Sequence, residues 1–132
     1  MSEENVDRFL ELVDAFNRGD WERYFSCYDA EARFEPQQAA LQGVYVGHDG
    51  IRSWRGDMRE HYSGPWRVEV ADVRDLGERV LVLGTLSFTG RASGIAMDVP
   101  VAALATYRDG LIVHFKDYGD RDRALEAAGP SD

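Results

Sequence analysis

Apolar residues recur at Val6, Phe9, Leu10, Val13 and Phe16, three and four positions apart. That spacing puts them on one stripe of a helix. It predicts a first helix over Ser2 to Arg18, capped by Ser2, with Glu3 and Glu4 at the positive end of its dipole. Gly19 fits just past its C-terminus. Asp20 then caps a second helix, Trp21 to Tyr28, whose apolar face is Trp21, Tyr24, Phe25 and Tyr28. Asp29 to Glu31 end it. Arg33 to Pro36 reads as a short extended piece, because a residue before proline is pushed out of the helical region. Gln37 to Gly43 reads as a polar loop, and Val44 to Val46 as a further short strand. Gly47 to Gly50 reads as a turn, with Asp49 capping a third helix. That helix carries Ile51, Trp54, Met58 and Tyr62, with His61 bordering the stripe, and Gly64-Pro65 stops it.

From Trp66 the period changes to two. Trp66, Val68 and Val70 alternate with Arg67, Glu69 and Ala71. Val80 to Arg91 is a long strand. The chain then reads DVPVAALATYR, Asp109-Gly110, LIVHFKDY, which is a strong hairpin signal. Side chains alternate faces along a strand, so Val113, Phe115 and Asp117 share one face. Ile112, His114, Lys116 and Tyr118 share the other. A helical tail follows from Asp120 to Gly129. The predicted architecture is α+β: three N-terminal helices on a strongly curved, four-stranded antiparallel sheet, one domain over residues 1–132. The hollow side would hold the helices above an apolar pocket. The convex side would leave Ala102, Leu104 and Ile112 partly uncovered, which predicts a homodimer through the sheet.

Composition narrows the partners. The formal net charge of −9 argues against nucleic acid, whose binders carry a concentrated basic surface. It also argues against an anionic membrane surface. No apolar run is long enough to cross a bilayer, and the acidic start MSEENVDRF is not a signal peptide. Cys27 is the single cysteine, so no internal disulfide forms, which fits a reducing cytoplasm. No spacing of His, Cys and Asp suggests a metal site, and no cofactor motif is present. GRASG, Gly90 to Gly94, joins two strands and is neither a phosphate loop nor a nucleophile elbow. Arg52, Arg55 and Arg59 form a stripe on the third helix, interleaved with Asp57 and Glu60, and read as a solvated face.

The segments NRGDWERYFSCYDAEARFEP, GVYVGHDGIRSW, VEVADVRDLGERVLVLG and GRASGIAMDVPVAALATYRDGLIVHFKDYGDRDRALEAAG carry a resemblance over nearly the whole chain. In order and spacing they resemble the SnoaL-like branch of the nuclear transport factor 2-like superfamily, which also holds ketosteroid isomerase, scytalone dehydratase and limonene-epoxide hydrolase. The resemblance implies a cystatin-like cone closed by helices round an apolar pocket, commonly a homodimer. It does not imply one activity, because the fold hosts isomerases, dehydratases, hydrolases, cyclases and plain binding domains.

Members that are enzymes mostly move protons on a buried small molecule. One acid or base in an apolar pocket suffices, since desolvation lifts a carboxylate toward the working pH. Asp117 is the first candidate, both from its face and because SnoaL-like cyclases carry a catalytic aspartate there. The plain alternative is a rim carboxylate paired with an arginine or capping the tail. His61 is the histidine placed to see the pocket, against a hydrogen-bonded helix-end histidine. Glu35 could serve as base after a one-residue register shift, against a surface glutamate. The ketosteroid isomerase set falls at Leu12, Pro36 and near Ala103, none of which carries the group required. An epoxide-hydrolase set would need Arg91 or Arg108 to point inward beside Asp117. Tyr28, Tyr45, Trp54, Met58, Phe88, Val113 and Phe115 are the candidate ligand-binding residues. The functional expectation is a small apolar organic ligand, turned over by a cofactor-independent lyase, isomerase or cyclase using Asp117. The alternative is a non-catalytic ligand-binding or dimeric interaction domain.

Overall fold

Asp109 and Gly110 turn the chain with φ of 55° and 83°, the left-handed geometry that a two-residue hairpin requires. In the computed structural model, which describes residues 3–37 and 44–129, they join two strands of a six-stranded sheet. The elements in chain order are α1 (Glu3–Arg18), α2 (Trp21–Ser26), β1 (Tyr28–Glu35), β2 (Tyr45–Val46), α3 (Gly47–His61), β3 (Tyr62–Asp75), β4 (Arg79–Gly90), β5 (Ala96–Arg108), β6 (Leu111–Asp117) and α4 (Arg121–Ala128). The sheet order is β2-β1-β6-β5-β4-β3. All neighbours pair antiparallel except β1 and β6, which run parallel.

The α+β class stands, while the sheet is mixed and holds two more strands than the alternation predicts. β1 is the reason. Tyr28 continues the apolar stripe of α2, so the local pattern extends the helix to it. In the fold α2 stops at Ser26, and Tyr28 starts a strand that pairs with Ile112. A parallel partner so distant in sequence leaves no local signature. Other boundaries shift for local reasons. α3 already starts at Gly47, and Val46 precedes it without a side-chain cap, so Asp49 lies inside the first turn and does not cap it. β3 begins at Tyr62, so Gly64-Pro65 lies within the strand, where the pairing with β4 is irregular between Ser63 and Arg67. The expected Ser2 cap and nearly all of the expected loop 37–43 lie outside the described residues. The capping roles of Asp20 and Asp120 hold: their carboxylates accept from the N–H of Arg23 and of Asp122.

Curvature comes from breaks in register. A second shift in β3 lies between Val70 and Asp72. Opposite it, Gly84 packs so closely that a Cβ would stand 2.1 Å from the Glu69 carbonyl oxygen. Such bulges bend and twist a strand. The hollow side receives α1 and α3. Asn17 of α1 pins the helix to the outer edge of β3. Its Nδ2 donates to the Val68 carbonyl at 3.0 Å, and its Oδ1 accepts from the Val68 N–H at 2.7 Å. A side-chain amide thus replaces the missing neighbour of an edge strand.

A third register shift, between Thr106 and Tyr107, decides which residues face inward. His114 pairs with Thr106 and Ile112 with Tyr107, leaving Val113 as the extra residue. Strict alternation puts Ile112 on the convex face with His114. The bulge instead turns Ile112 into the main core, where it is fully buried with Tyr107. Val113 is displaced from the interior and lines an open surface groove with Arg8 and Asp109. Phe115 and Asp117, beyond the bulge, keep the inward side.

The convex apolar patch is not left uncovered. Leu81, Leu83, Ala102 and Leu104 pack against Ala124 of α4, with Tyr118 and Leu125 alongside. The rest of that face carries Arg33, Glu35, His114 and Lys116 from β1 and β6. The exposed apolar surface that motivated pairing through the sheet is therefore occupied by the chain's own tail helix. No helix among the described residues is long and apolar enough to cross a membrane.

Candidate functional site

Asp117 closes β6, opposite Ala103 of β5. Its Oδ1 accepts two backbone hydrogen bonds, from the Ala102 N–H at 3.1 Å and the Gly119 N–H at 2.9 Å. The second is a local Asx turn, which fixes the rotamer as the chain leaves the strand. Oδ2 carries no hydrogen bond to any described residue. Asp117 lines an apolar cavity of about 70 Å³. Phe9, Leu12, Val13 and Phe16 roof the cavity from α1, and Tyr24 and Trp54 reach it from α2 and α3. Phe34 and Pro36 come from β1 and its end, and Val68, Val82, Leu86, Val101 and Phe115 form the floor. Asp117 is the one carboxyl among these lining groups. Burial pushes it above the usual carboxylate range, and the two N–H bonds pull it only part of the way back.

Two polar donors share that wall. The Tyr28 hydroxyl donates to the Tyr24 hydroxyl at 2.9 Å, so the Tyr24 proton is left for another acceptor. Both phenols are held well above their ordinary range by burial, which keeps them protonated. Trp54 Nε1 is buried and has no hydrogen-bond partner among the described residues, and Trp54 lines the cavity. Such a buried orphan is costly, by about 1–3 kcal/mol, and calls for an explanation.

The sequence model of the SnoaL-like domain matches residues 6–115. The chain belongs to the SnoaL-like domain family.

Solved structures similar to this SnoaL-like domain share its fold. An NTF2-like protein of unknown function from Burkholderia pseudomallei K96243 is 22% identical with a TM-score of 0.80, covering 98% of this chain and 100% of that one. TerC, co-crystallised with polyporic acid, is 22% identical with a TM-score of 0.79, covering 96% and 99%. A protein provisionally named a SnoaL-like polyketide cyclase, from Jannaschia sp. CCS1, is 20% identical with a TM-score of 0.77, covering 99% and 96%. At these identities the likeness speaks for fold alone. No curated protein matches the chain.

Of the candidates read from the sequence, Asp117, Phe115 and Trp54 meet at the cavity of this SnoaL-like domain. Tyr28 stands one shell behind it, through Tyr24. Met58 lines a neighbouring pocket. Phe88 stacks on Trp66 at 5.3 Å and meets the Tyr62 ring edge-on, away from Asp117. Tyr45 is buried, with its hydroxyl donating to Asp57 at 3.2 Å. Val113 faces the outer groove. His61 is exposed, beside Tyr62. Glu35 lies on the convex face, where His114 Nε2 sits 2.5 Å from its Oε2 and Lys116 Nζ 3.7 Å from its Oε1. Parallel pairing places Phe34, not Glu35, inward, opposite Phe115. Neither His61 nor Glu35 touches the cavity. Arg91 bonds the Arg59 and Tyr62 carbonyls and Arg108 is exposed, so neither joins Asp117. Leu12, Pro36 and Ala103, where ketosteroid isomerase chemistry would need polar groups, are all buried in the interior.

Tyr24 lines the cavity but is not among the ligand-binding residues expected from the sequence. Its stripe position on α2 marks it as core, and nothing local reveals that Tyr28 starts a strand and hands it a hydrogen bond. Cys27 is a structural thiol: burial raises it, and Sγ donates to the Arg23 carbonyl at 3.4 Å.

Proposed function

We propose that this SnoaL-like domain binds a small, largely apolar organic molecule beneath α1, and that Asp117 moves a proton to or from it. The observation that carries this reading is the division of labour within one carboxyl. Oδ1 is held by two backbone donors, while Oδ2 has no hydrogen bond to any described residue, and Asp117 lines an apolar cavity. A carboxylate lifted by desolvation is a better base and a readier acid near neutral pH.

In the proposed step Oδ2 takes a proton from a C–H or O–H of the ligand. The electron pair stays on the ligand as an oxyanion, stabilised by hydrogen bonds from the Tyr24 hydroxyl and the Trp54 N–H. The proton then returns at another position, or the pair forms a new double bond while the leaving group departs with its own bonding pair and takes the proton from Asp117. That describes a cofactor-independent isomerase, lyase or cyclase. The co-crystallisation of TerC with polyporic acid supports a small-molecule role for the fold.

The alternative is binding without turnover. The size of the cavity bears on both readings alike: 70 Å³ is well below the roughly 300–1,000 Å³ of ordinary ligand sites, so side chains around it must shift before a ligand enters. Native mass spectrometry of protein purified from its host, looking for a retained small molecule, separates the readings once Asp117→Asn is compared. A ligand turned over by the wild type and merely held by the variant supports proton transfer. Equal turnover by both removes Asp117 from catalysis. A ligand held unchanged by both supports plain binding.

A further inference from the structure

A second pocket, of about 140 Å³, adjoins the cavity. Phe16 and Trp54 line both and form the partition between them. Its other walls are Trp21, Met58 and Trp66, with Arg55 and Arg59. Aromatic and cationic groups thus share one concave site.

Arg18, Arg23, Arg52 and Arg74 have carboxylate partners, while others such as Arg33, Arg67 and Arg108 have none among the described residues; what sets Arg55 and Arg59 apart is that they line a pocket. Acidic residues outnumber basic ones by 24 to 15, so partners are plentiful. Arg55 and Arg59 nevertheless have none among the described residues, and the nearby Asp57 is engaged by the Tyr45 hydroxyl. The Arg55 guanidinium carbon lies 4.4 Å from the centre of the Trp21 ring. That stacking fixes the guanidinium plane and leaves its edge for a ligand. Arg55 Nε is buried with no hydrogen-bond partner among the described residues. Burial and the like charge of Arg59 both work against the Arg55 cation, and no carboxylate among the described residues pairs with it. The expectation of a solvated arginine face fits Arg52, which is paired with Asp49, and Arg59, both exposed, but not the half-buried Arg55.

We infer that this pocket is an anion subsite, in which Arg55, assisted by Arg59, takes the carboxylate of a small aromatic or apolar acid. Guanidinium N–H groups donate to both carboxylate oxygens, the arrangement their geometry suits best. The ring or chain of the acid lies against Trp21, Trp54 and Trp66. That the same molecule reaches past Phe16 to Asp117 rests on the function proposed above; the subsite itself does not.

All three tryptophans of the chain line this pocket, so intrinsic tryptophan fluorescence reports on it. Titration with benzoate and with its neutral isostere benzamide tests the charge requirement. The wild type is expected to bind benzoate at least tenfold more tightly. Arg55→Gln should erase that preference, Arg59→Gln should reduce it by less, and Arg52→Gln should leave it unchanged. Arg55→Lys, which keeps the charge but loses the planar fork, should retain part of it and covers the case in which Arg55→Gln unfolds. Equal affinity for the two probes in the wild type overturns the subsite. So does a folded Arg55→Gln that keeps the preference. Failure of the Asp117 reading shows elsewhere, as turnover unchanged by Asp117→Asn, so the two can fall separately.

Discussion

Glu35 and Asp117 end neighbouring strands, with Glu35 paired opposite Lys116, and yet their carboxyls shift in opposite directions. Burial raises Asp117, and only backbone N–H groups oppose it. Burial also raises Glu35, but the His114 hydrogen bond and the charges of Lys116, His114 and Arg33 outweigh it and hold it low. One residue of register separates a carboxyl that faces the hollow from one that faces cations on the convex side. Proximity in the sheet therefore says little about chemistry; the face and the counter-charge decide it.

The largest effect should come from taking the charge out of the hollow. Asp117→Asn keeps an oxygen that can accept from both Ala102 and Gly119, so the local turn survives. If Asp117 transfers the proton, turnover of the physiological ligand should fall by about 10²–10⁴-fold, measured as kcat with the fold checked by thermal melting. Glu35→Gln should leave kcat within about twofold by the same reasoning, since Glu35 faces away from the cavity. Equal losses in both variants would erase the distinction between the faces.

Phe34 immediately precedes Glu35 but faces the other way, lining the cavity with Asp117. It is 1% exposed and stacks on Phe115 at 5.3 Å, with its edge toward Trp54 at 4.9 Å. Phe34→Ala should cost about 3–5 kcal/mol in urea unfolding and enlarge the space beside Asp117. A smaller loss would mean that the hollow is loosely packed and already able to open.

The helices and the final hairpin were legible because their signals are local. The stripe at Phe9, Val13 and Phe16 and the Asp109-Gly110 turn need no knowledge of distant chain. The pocket side of Phe115 and Asp117 was legible because strict alternation survives beyond the Thr106–Tyr107 bulge. Ile112 and Val113 were misplaced because that bulge, one residue wide, reverses every side chain before it. The end of β1 was read as an extended piece from Arg33, but its start at Tyr28 and its place in the sheet were missed because its partner is parallel and remote. His61 follows Met58 by three positions, but α3 ends there and the ring turns to solvent. Arg55 read as one of a charged stripe because only the folded chain brings Trp21 beneath it.

The convex side offers a smaller test. Asp120 caps α4 by accepting from the Asp122 N–H at 2.9 Å, and α4 covers Leu81, Leu83, Ala102 and Leu104. Asp120→Ala should cost about 1 kcal/mol. If α4 frays, the apolar patch opens, and the variant should self-associate at lower concentration than the wild type in analytical ultracentrifugation. An unchanged sedimentation profile in a variant with a frayed α4 would show that this patch does not drive association.

The smallest effect is also the sharpest comparison, because it predicts a difference of sign. Glu35 titrates lower in the fold than in the unfolded chain, where a glutamate lies near about 4.3. The stability it contributes is present above that value and is lost as pH falls through its folded value. The gap between wild type and Glu35→Gln, on the order of 0.5–1 kcal/mol for a partly exposed pair, should therefore close on acidification. Asp117 titrates higher in the fold than the roughly 3.9 of an unfolded aspartate. Its contribution is complete below that value and is lost as pH rises through the folded value, as the carboxylate ionises against the apolar wall. Relative to wild type, Asp117→Asn should thus gain stability as pH increases. Urea midpoints of the three proteins between about pH 3 and 5.5, below the neutral range of histidine titration, would display both trends. Two gaps that move in the same direction would mean that one of the carboxyls does not face the surroundings described for it.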